Sequence, residues 1–226
     1  DAVDAGQEVD WEPVLGLCAW VLAQPRDIPE REVSDPLVDS DWGWTRKAIA
    51  ELLSAGFRET GNLDFSLRPK AWDVLRKLTE DPEPTPEYEK AYGGSNMDPA
   101  TLSINTVRGA AMHATIRYAL WVRRHFEQTE DQKALERGLA EITEARDVLE
   151  RHLEPNVDPS VTVRAVYGQW FPWLVLLDRH WAHENVGQIF PQDNEQRDLR
   201  NAAWDTYVSM CGAYDNVFDV LSSEYE

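Results

Sequence analysis

The side chains in this sequence best suited to chemistry lie at His180-Trp181-Ala182-His183-Glu184. On a helix His180 faces Glu184 at i,i+4 and His183 at i,i+3, so all three can share one face. Two imidazoles and a carboxylate are zinc ligand types, but a zinc site would need a further ligand from elsewhere. The order is neither His-Glu-x-x-His nor its inverse, so the metalloprotease helix is excluded and the group reads as a solvated or capping pair. His113, His125 and His152 form no nucleophile, base and orienter set by spacing, and serine is scarce around them. The stretch AYGGSN, residues 91–96, lacks Gly-x-x-x-x-Gly-Lys and follows no strand, so it is not a phosphate loop. Carboxylate pairs such as Glu59 and Asp64, or Glu141 and Glu144, are expected where 41 residues are Asp or Glu, and read as solvated faces. The expectation is therefore no catalytic residue, no metal and no cofactor.

Charge narrows the partners. The 226 residues carry a formal net charge of -19, which repels phosphate backbones and anionic membrane surfaces alike. The best basic cluster is Arg117, Arg123 and Arg124, interrupted by apolar residues and too thin for a phosphate track. Nucleic acid and membrane are thus excluded as expected partners, and a protein of basic character, or another domain of the same chain, is favoured. No apolar run reaches the length of about 18 residues that a spanning helix needs, and no basic segment precedes an apolar one as in a secretion signal. Cys18 and Cys211 each sit in an apolar helical pattern and read as buried thiols of a cytoplasmic protein, although a disulfide between them is geometrically open. The chain opens DAVDAGQEVD without an initiator Met, which reads as a piece of a longer protein.

The elements that would position these residues are all helical, since no alternating pattern exceeds four residues. Trp11, Val14, Leu15, Cys18, Val21 and Leu22 have helical spacing, and Pro25 opens a loop over 25–40. Asp41 caps a helix with Trp44, Ala48, Ile49, Leu52 and Leu53 on one side and Gly56 as its stop. A third begins near Pro69 with Trp72, Leu75 and Leu78. Residues 80–101 hold four prolines and read as a surface loop, ordered in part. Beyond it come one helix over 103–128, with Val107, Ala111, Ala114, Tyr118, Trp121 and Val122 inward, and one over 131–153. The latter has a seam of Leu135, Leu139, Ile142, Leu149 and Leu153, with Arg137–Glu141, Arg146–Glu150 and Asp147–Arg151 at i,i+4. Further helices fall within 179–190, 195–210 and 213–225. The chain divides into an N-terminal part, 1–80, an acidic Pro-rich loop, 81–101, and a C-terminal part, 102–226, read as one continuous unit.

The stretch DPSVTVRAVYGQWFPWLVLLD, residues 158–178, starts with Asp158 as N-cap and Pro159 in the first turn. Pro172 should kink or restart this helix at Phe171, with Trp170 and Trp173 filling the wedge so opened. Arg164 recurs in kind as Arg46, Arg108 and Arg200, each in the first turns of a helix. On these residues the chain resembles HEAT-type repeats, whose second helix opens Asp-Pro and continues Val-Arg; the match is close over 158–190, partial around Arg108 and loose around Arg46 and Arg200. The resemblance implies antiparallel helical pairs stacked as a short α-solenoid. It also implies that Arg108 and Arg164 pair with an acidic residue of a neighbouring repeat; for an enclosed Arg164 the expected partner is an acidic side chain or helix-end carbonyls of a neighbouring element. The layout is further similar to helical-repeat regions of large bacterial multidomain proteins, among them nucleotide-hydrolysing signalling and defence proteins.

Two functions follow. One is a non-catalytic interaction or scaffold module with an extended surface. The other is an all-α enzyme or small-ligand binder with a pocket of Trp170, Trp173, His180 and Trp181. A deep closed pocket with convergent polar groups would favour the second, an open groove the first.

Overall fold

The computed structural model describes residues 9–27, 41–92 and 97–222. All regular structure among them is helical: α1 (Trp11–Ala23), α2 (Gly43–Gly56), α3 (Arg68–Thr79), α4 (Pro86–Tyr92), α5 (Pro99–Asn105), α6 (Val107–Gln128), α7 (Gln132–Arg137), α8 (Thr143–Leu153), α9 (Val161–Leu177), α10 (Arg179–Ile189), α11 (Arg197–Met210) and α12 (Asp215–Leu221). Of the loop expected over 25–40, residues 28–40 lie outside the described residues, as do 93–96 of the glycine-containing stretch.

Long helices pack side by side, α2 on α6, α6 on α9 and α9 on α11, while α3 covers α6 and α10 covers α9. The middle of this row is the most enclosed. Ala111, Ala114, Tyr118, Trp121 and Val122 of α6 are all buried, as their spacing predicts. Closest approach is between α9 and α11. A Cβ on Gly168 would lie 2.0 Å from the carbonyl oxygen of Ala203, so only glycine permits that contact.

Several boundaries differ from those read in the sequence, each for a local reason. The segment expected as one helix over 103–128 is interrupted at Thr106, which takes an extended conformation (φ -118°, ψ 154°). The Thr106 hydroxyl bonds back to the Leu102 carbonyl at 3.0 Å, and α6 restarts with the Arg108 amide donating to the Glu83 carbonyl at 2.8 Å. The expected helix over 131–153 breaks at Gly138, whose φ of 54° ends α7. The Leu139 amide there donates to Asp178 Oδ2 at 3.1 Å, and the other oxygen of Asp178 caps α10 through the Trp181 amide at 2.9 Å. The N-cap of α9 is Ser160, not Asp158; its Oγ accepts from the Val163 amide at 3.1 Å. Glu89 of α4 adds its carboxylate to the same helix end, accepting from the Thr162 amide at 3.0 Å and the Ser160 hydroxyl at 2.5 Å. The stretch read as a loop over 80–101 thus carries a helix that docks on α9. Pro172 lies inside α9 without ending it. Trp44, expected on the inner side of α2, is 59% exposed.

The recurring arginines hold the row together. Arg46 Nη1 meets the buried carboxylate of Asp81 at 3.1 Å, and its Nη2 donates to the Gln24 carbonyl at 3.1 Å. Arg108 donates to the carbonyls of Asp81 and Pro84 at 2.8 and 2.9 Å, and its Nε meets Asp158 at 3.1 Å. Asp158 also meets His152 Nδ1 at 2.7 Å. Arg164 is fully enclosed and differs from the acidic pairing that the resemblance implies. It donates to the carbonyls of Leu153, at 2.8 Å, and Gln188, each at a helix end. Those carbonyls are orphans of α8 and α10, and a guanidinium fork supplies both donors from one side chain.

Candidate ligand cleft

A cavity of about 600 Å³ opens where the end of α2 and the residues after it, Phe57–Thr60, meet α6 and α9. Helical spacing builds two of its walls. Arg117, Leu120 and Arg124 form one stripe of α6, and Trp170, Trp173 and Leu176 form one stripe of α9. Because α6 and α9 are neighbours, the stripes face each other. Arg117 lies over the Trp170 ring, its Cζ 4.8 Å from the centroid. Arg58 enters from the third side, and Arg124 donates to the Phe57 carbonyl at the end of α2.

The sign of this cleft runs against that of the chain. Burial and then the positive charges of Arg58 and Arg124 push the Arg117 guanidinium below its usual range. No carboxylate pairs with Arg117 among the described residues, whereas two other arginines of the same cavity have acidic neighbours in it: Arg123 meets Glu127 at 3.0 Å, and Glu59 and Glu127 both act on Arg124. On the far side of Arg117 and Trp170 a smaller cavity of about 200 Å³ continues towards His113. Past Trp173 a groove of about 330 Å³ runs on with Leu176, Met210 and Tyr214. These four side chains are all large and exposed, Trp173 by 47%. One end of the surface is therefore cationic and the other apolar.

Behind Trp170 lies a serine–histidine pair that spacing alone does not show. The indole Nε1 of Trp170 donates to His113 Nδ1 at 2.7 Å, so the neutral ring carries its proton on Nε2. That nitrogen faces the Ser103 hydroxyl at 2.8 Å, and the hydroxyl in turn donates to the Ala100 carbonyl at 2.7 Å. A general base would need a free lone pair where this imidazole holds a proton. Burial first, and Arg117 second, push the His113 pKa down to about 3. The pair is a buried strut for Trp170.

The remaining sequence candidates lie elsewhere. Trp181 is buried and donates to Glu150 at 3.0 Å, so it does not join Trp170 and Trp173. His180 and Glu184 approach to 3.3 Å on an open face, with His180 83% exposed, and His183 is exposed beside them. Arg200 sits over the Trp204 ring at 5.9 Å. Cys18 and Cys211 are free thiols, which closes the disulfide alternative in this structure. Sequence reasoning saw Arg117, Arg123 and Arg124 but measured them against a nucleic-acid track, and it passed over Arg58. The usable signal was the matched period, Arg117–Leu120–Arg124 against Trp170–Trp173–Leu176. Comparison with protein-family models, curated proteins and solved structures finds no match to this chain.

Proposed function

We propose that the chain is a non-catalytic binding module, a short HEAT-like stack of helical pairs that offers the arginine–tryptophan cleft to a protein partner or to another domain of its own chain. The observation that carries this reading is Arg117, half-buried over Trp170 with only like charges acting on it, beside the exposed Trp173. Aromatic and arginine side chains in a partly desolvated cleft are the groups that dominate interface energies. The side-by-side order α2, α6, α9 and α11, with Arg46 and Arg108 tied to carboxylates further along the chain, supports a repeat architecture. The proton position on His113 argues against a serine nucleophile at Ser103. Two free thiols support a reducing, cytoplasmic setting. The net charge of -19 argues against extended nucleic acid as the ligand.

The test is a hydrogen-exchange footprint of the chain with its bound partner, paired with Trp173→Ala. Protection should centre on the exposed stripe of α9 and the residues after α2, and the substitution should weaken capture without lowering the melting temperature. Protection confined to other helices contradicts the proposal, as does turnover of a substrate by the isolated chain.

A further inference from the structure

The geometry points to an oxyanion subsite at Arg58, Arg117 and Arg124, continuous with an apolar shelf at Trp173 and Leu176, that takes a phosphorylated or acidic aromatic side chain of a partner peptide. The inference rests on the binding-module reading and names the chemistry of its ligand.

Three arguments carry it. First, the cavity of about 600 Å³ is lined by Arg58, Arg117, Arg123 and Arg124 against Glu59 and Glu127, which leaves it net positive on a chain of net charge -19. Like charges held together in a half-buried cleft are unfavourable without a counter-charge, and Arg117 has no carboxylate partner among the described residues to supply it. Arginine rather than lysine is the residue whose planar fork matches carboxylate and phosphate oxygens in pairs. Second, Arg117 is pre-oriented. Its stack on Trp170, which is itself fixed by the 2.7 Å bond to His113, leaves little side-chain freedom to be lost on binding. Third, the cationic end does not stand alone. Trp173 lines both the cationic cavity and the groove of about 330 Å³ that leads to Met210 and Tyr214, so an oxyanion at Arg117 would carry its attached ring onto Trp173. A long polyanion would gain at these arginines and be repelled by the acidic surface around them; a compact anion on an aromatic body gains at both ends.

Calorimetric titration of the whole chain with phenyl phosphate tests this, with inorganic phosphate and benzylammonium as the ringless and the cationic controls. Phenyl phosphate should bind with a Kd of about 1 mM or tighter, inorganic phosphate more weakly, and benzylammonium not at all. Arg117→Gln should weaken phenyl phosphate about tenfold, the loss of one charge-assisted pair. Arg58→Gln, at an exposed position, should weaken it in the same direction and guards against a misfolded Arg117 variant. Trp173→Ala should weaken phenyl phosphate but leave inorganic phosphate unchanged. Absence of oxyanion binding, or binding indifferent to Arg117→Gln and Arg58→Gln, overturns the subsite. A phosphotyrosine peptide should outcompete adenosine monophosphate; the opposite order overturns the peptide assignment. If the partner footprint depends on Trp173 while no oxyanion binds, the binding module stands and this inference falls.

Discussion

Arg164 and Arg117 are both enclosed arginines on neighbouring helices, and their surroundings are opposite. Arg164 is fully buried and its fork is taken up by the carbonyls of Leu153 and Gln188. Arg108 and Arg46 are held likewise, by Asp158 and Asp81. Arg117 is half-buried, rests on an indole, and feels Arg58 and Arg124. A charge that serves the fold finds its partners within the fold, here through the terminal nitrogens of the fork, although the buried Nε of Arg46 and of Arg164 has none. Arg117 has the Trp170 ring beneath it but no carboxylate partner of its own among the described residues, so an anion from outside would add what the fold does not supply. The same residue type therefore does two jobs in this molecule, separated by what surrounds it.

The comparison breaks first at Arg164. Arg164→Ala leaves two helix-end carbonyls unsatisfied and a cavity between α8, α9 and α10, so stability should fall by roughly 3–5 kcal/mol. For a chain of this length that lowers the melting temperature by about 10 °C. A melting curve unchanged by the substitution would mean the arginine is not integral to the packing. Next is Gly168, on the side of α9 turned away from the cleft. Gly168→Ala drives a methyl into the Ala203 backbone and should cost about 3 kcal/mol, measurable by denaturant unfolding, whereas Trp173→Ala on the exposed side should change stability by less than about 1 kcal/mol.

His113 links the two regions, and its pH response sharpens the contrast. Its folded pKa, about 3, lies below the ordinary 6.5, so between those values the unfolded chain binds the extra proton. The contribution is fully present above pH 6.5 and is lost as pH falls towards 3, by at most about 1.4 kcal/mol per pH unit. Melting temperatures taken from pH 7 to pH 5 should fall more steeply for the wild type than for His113→Gln. Arg117→Gln removes the charge that adds to burial in depressing His113, so its curve should match the wild type from pH 7 to pH 5 and level off at a higher pH when the series is carried below pH 4; an identical low-pH limb would show that burial alone sets the imidazole. The smallest effect is on the stability of Arg117→Gln itself, expected within about 0.5 kcal/mol of the wild type or slightly above it.

Periodicity made the helices legible. The inward faces of α3 and α6 and the buried Leu139, Ile142, Leu149 and Leu153 follow from spacing alone, since one stripe per helix must leave water. The breaks at Thr106 and Gly138 were not legible, because they depend on Glu83 and Asp178, partners distant in sequence. Ser160 displaced Asp158 as the cap for a similar reason, Asp158 being engaged by Arg108 and His152. The cleft was legible only in halves. Each stripe has a visible period, but that α6 and α9 lie side by side, and that Arg58 joins them, is a tertiary fact. Net charge misled at this scale, for a total of -19 says nothing about where the cations gather.

The most direct test of the division between fold-holding and ligand-facing arginines is the melting temperature of the wild type and of Arg117→Gln in phosphate against chloride at equal ionic strength. Phosphate stabilises proteins generally, so only the difference between the two proteins counts. The account predicts a larger rise in phosphate for the wild type, with both proteins melting alike in chloride. An equal rise in both, or an Arg117→Gln protein that melts far lower in chloride, would contradict it.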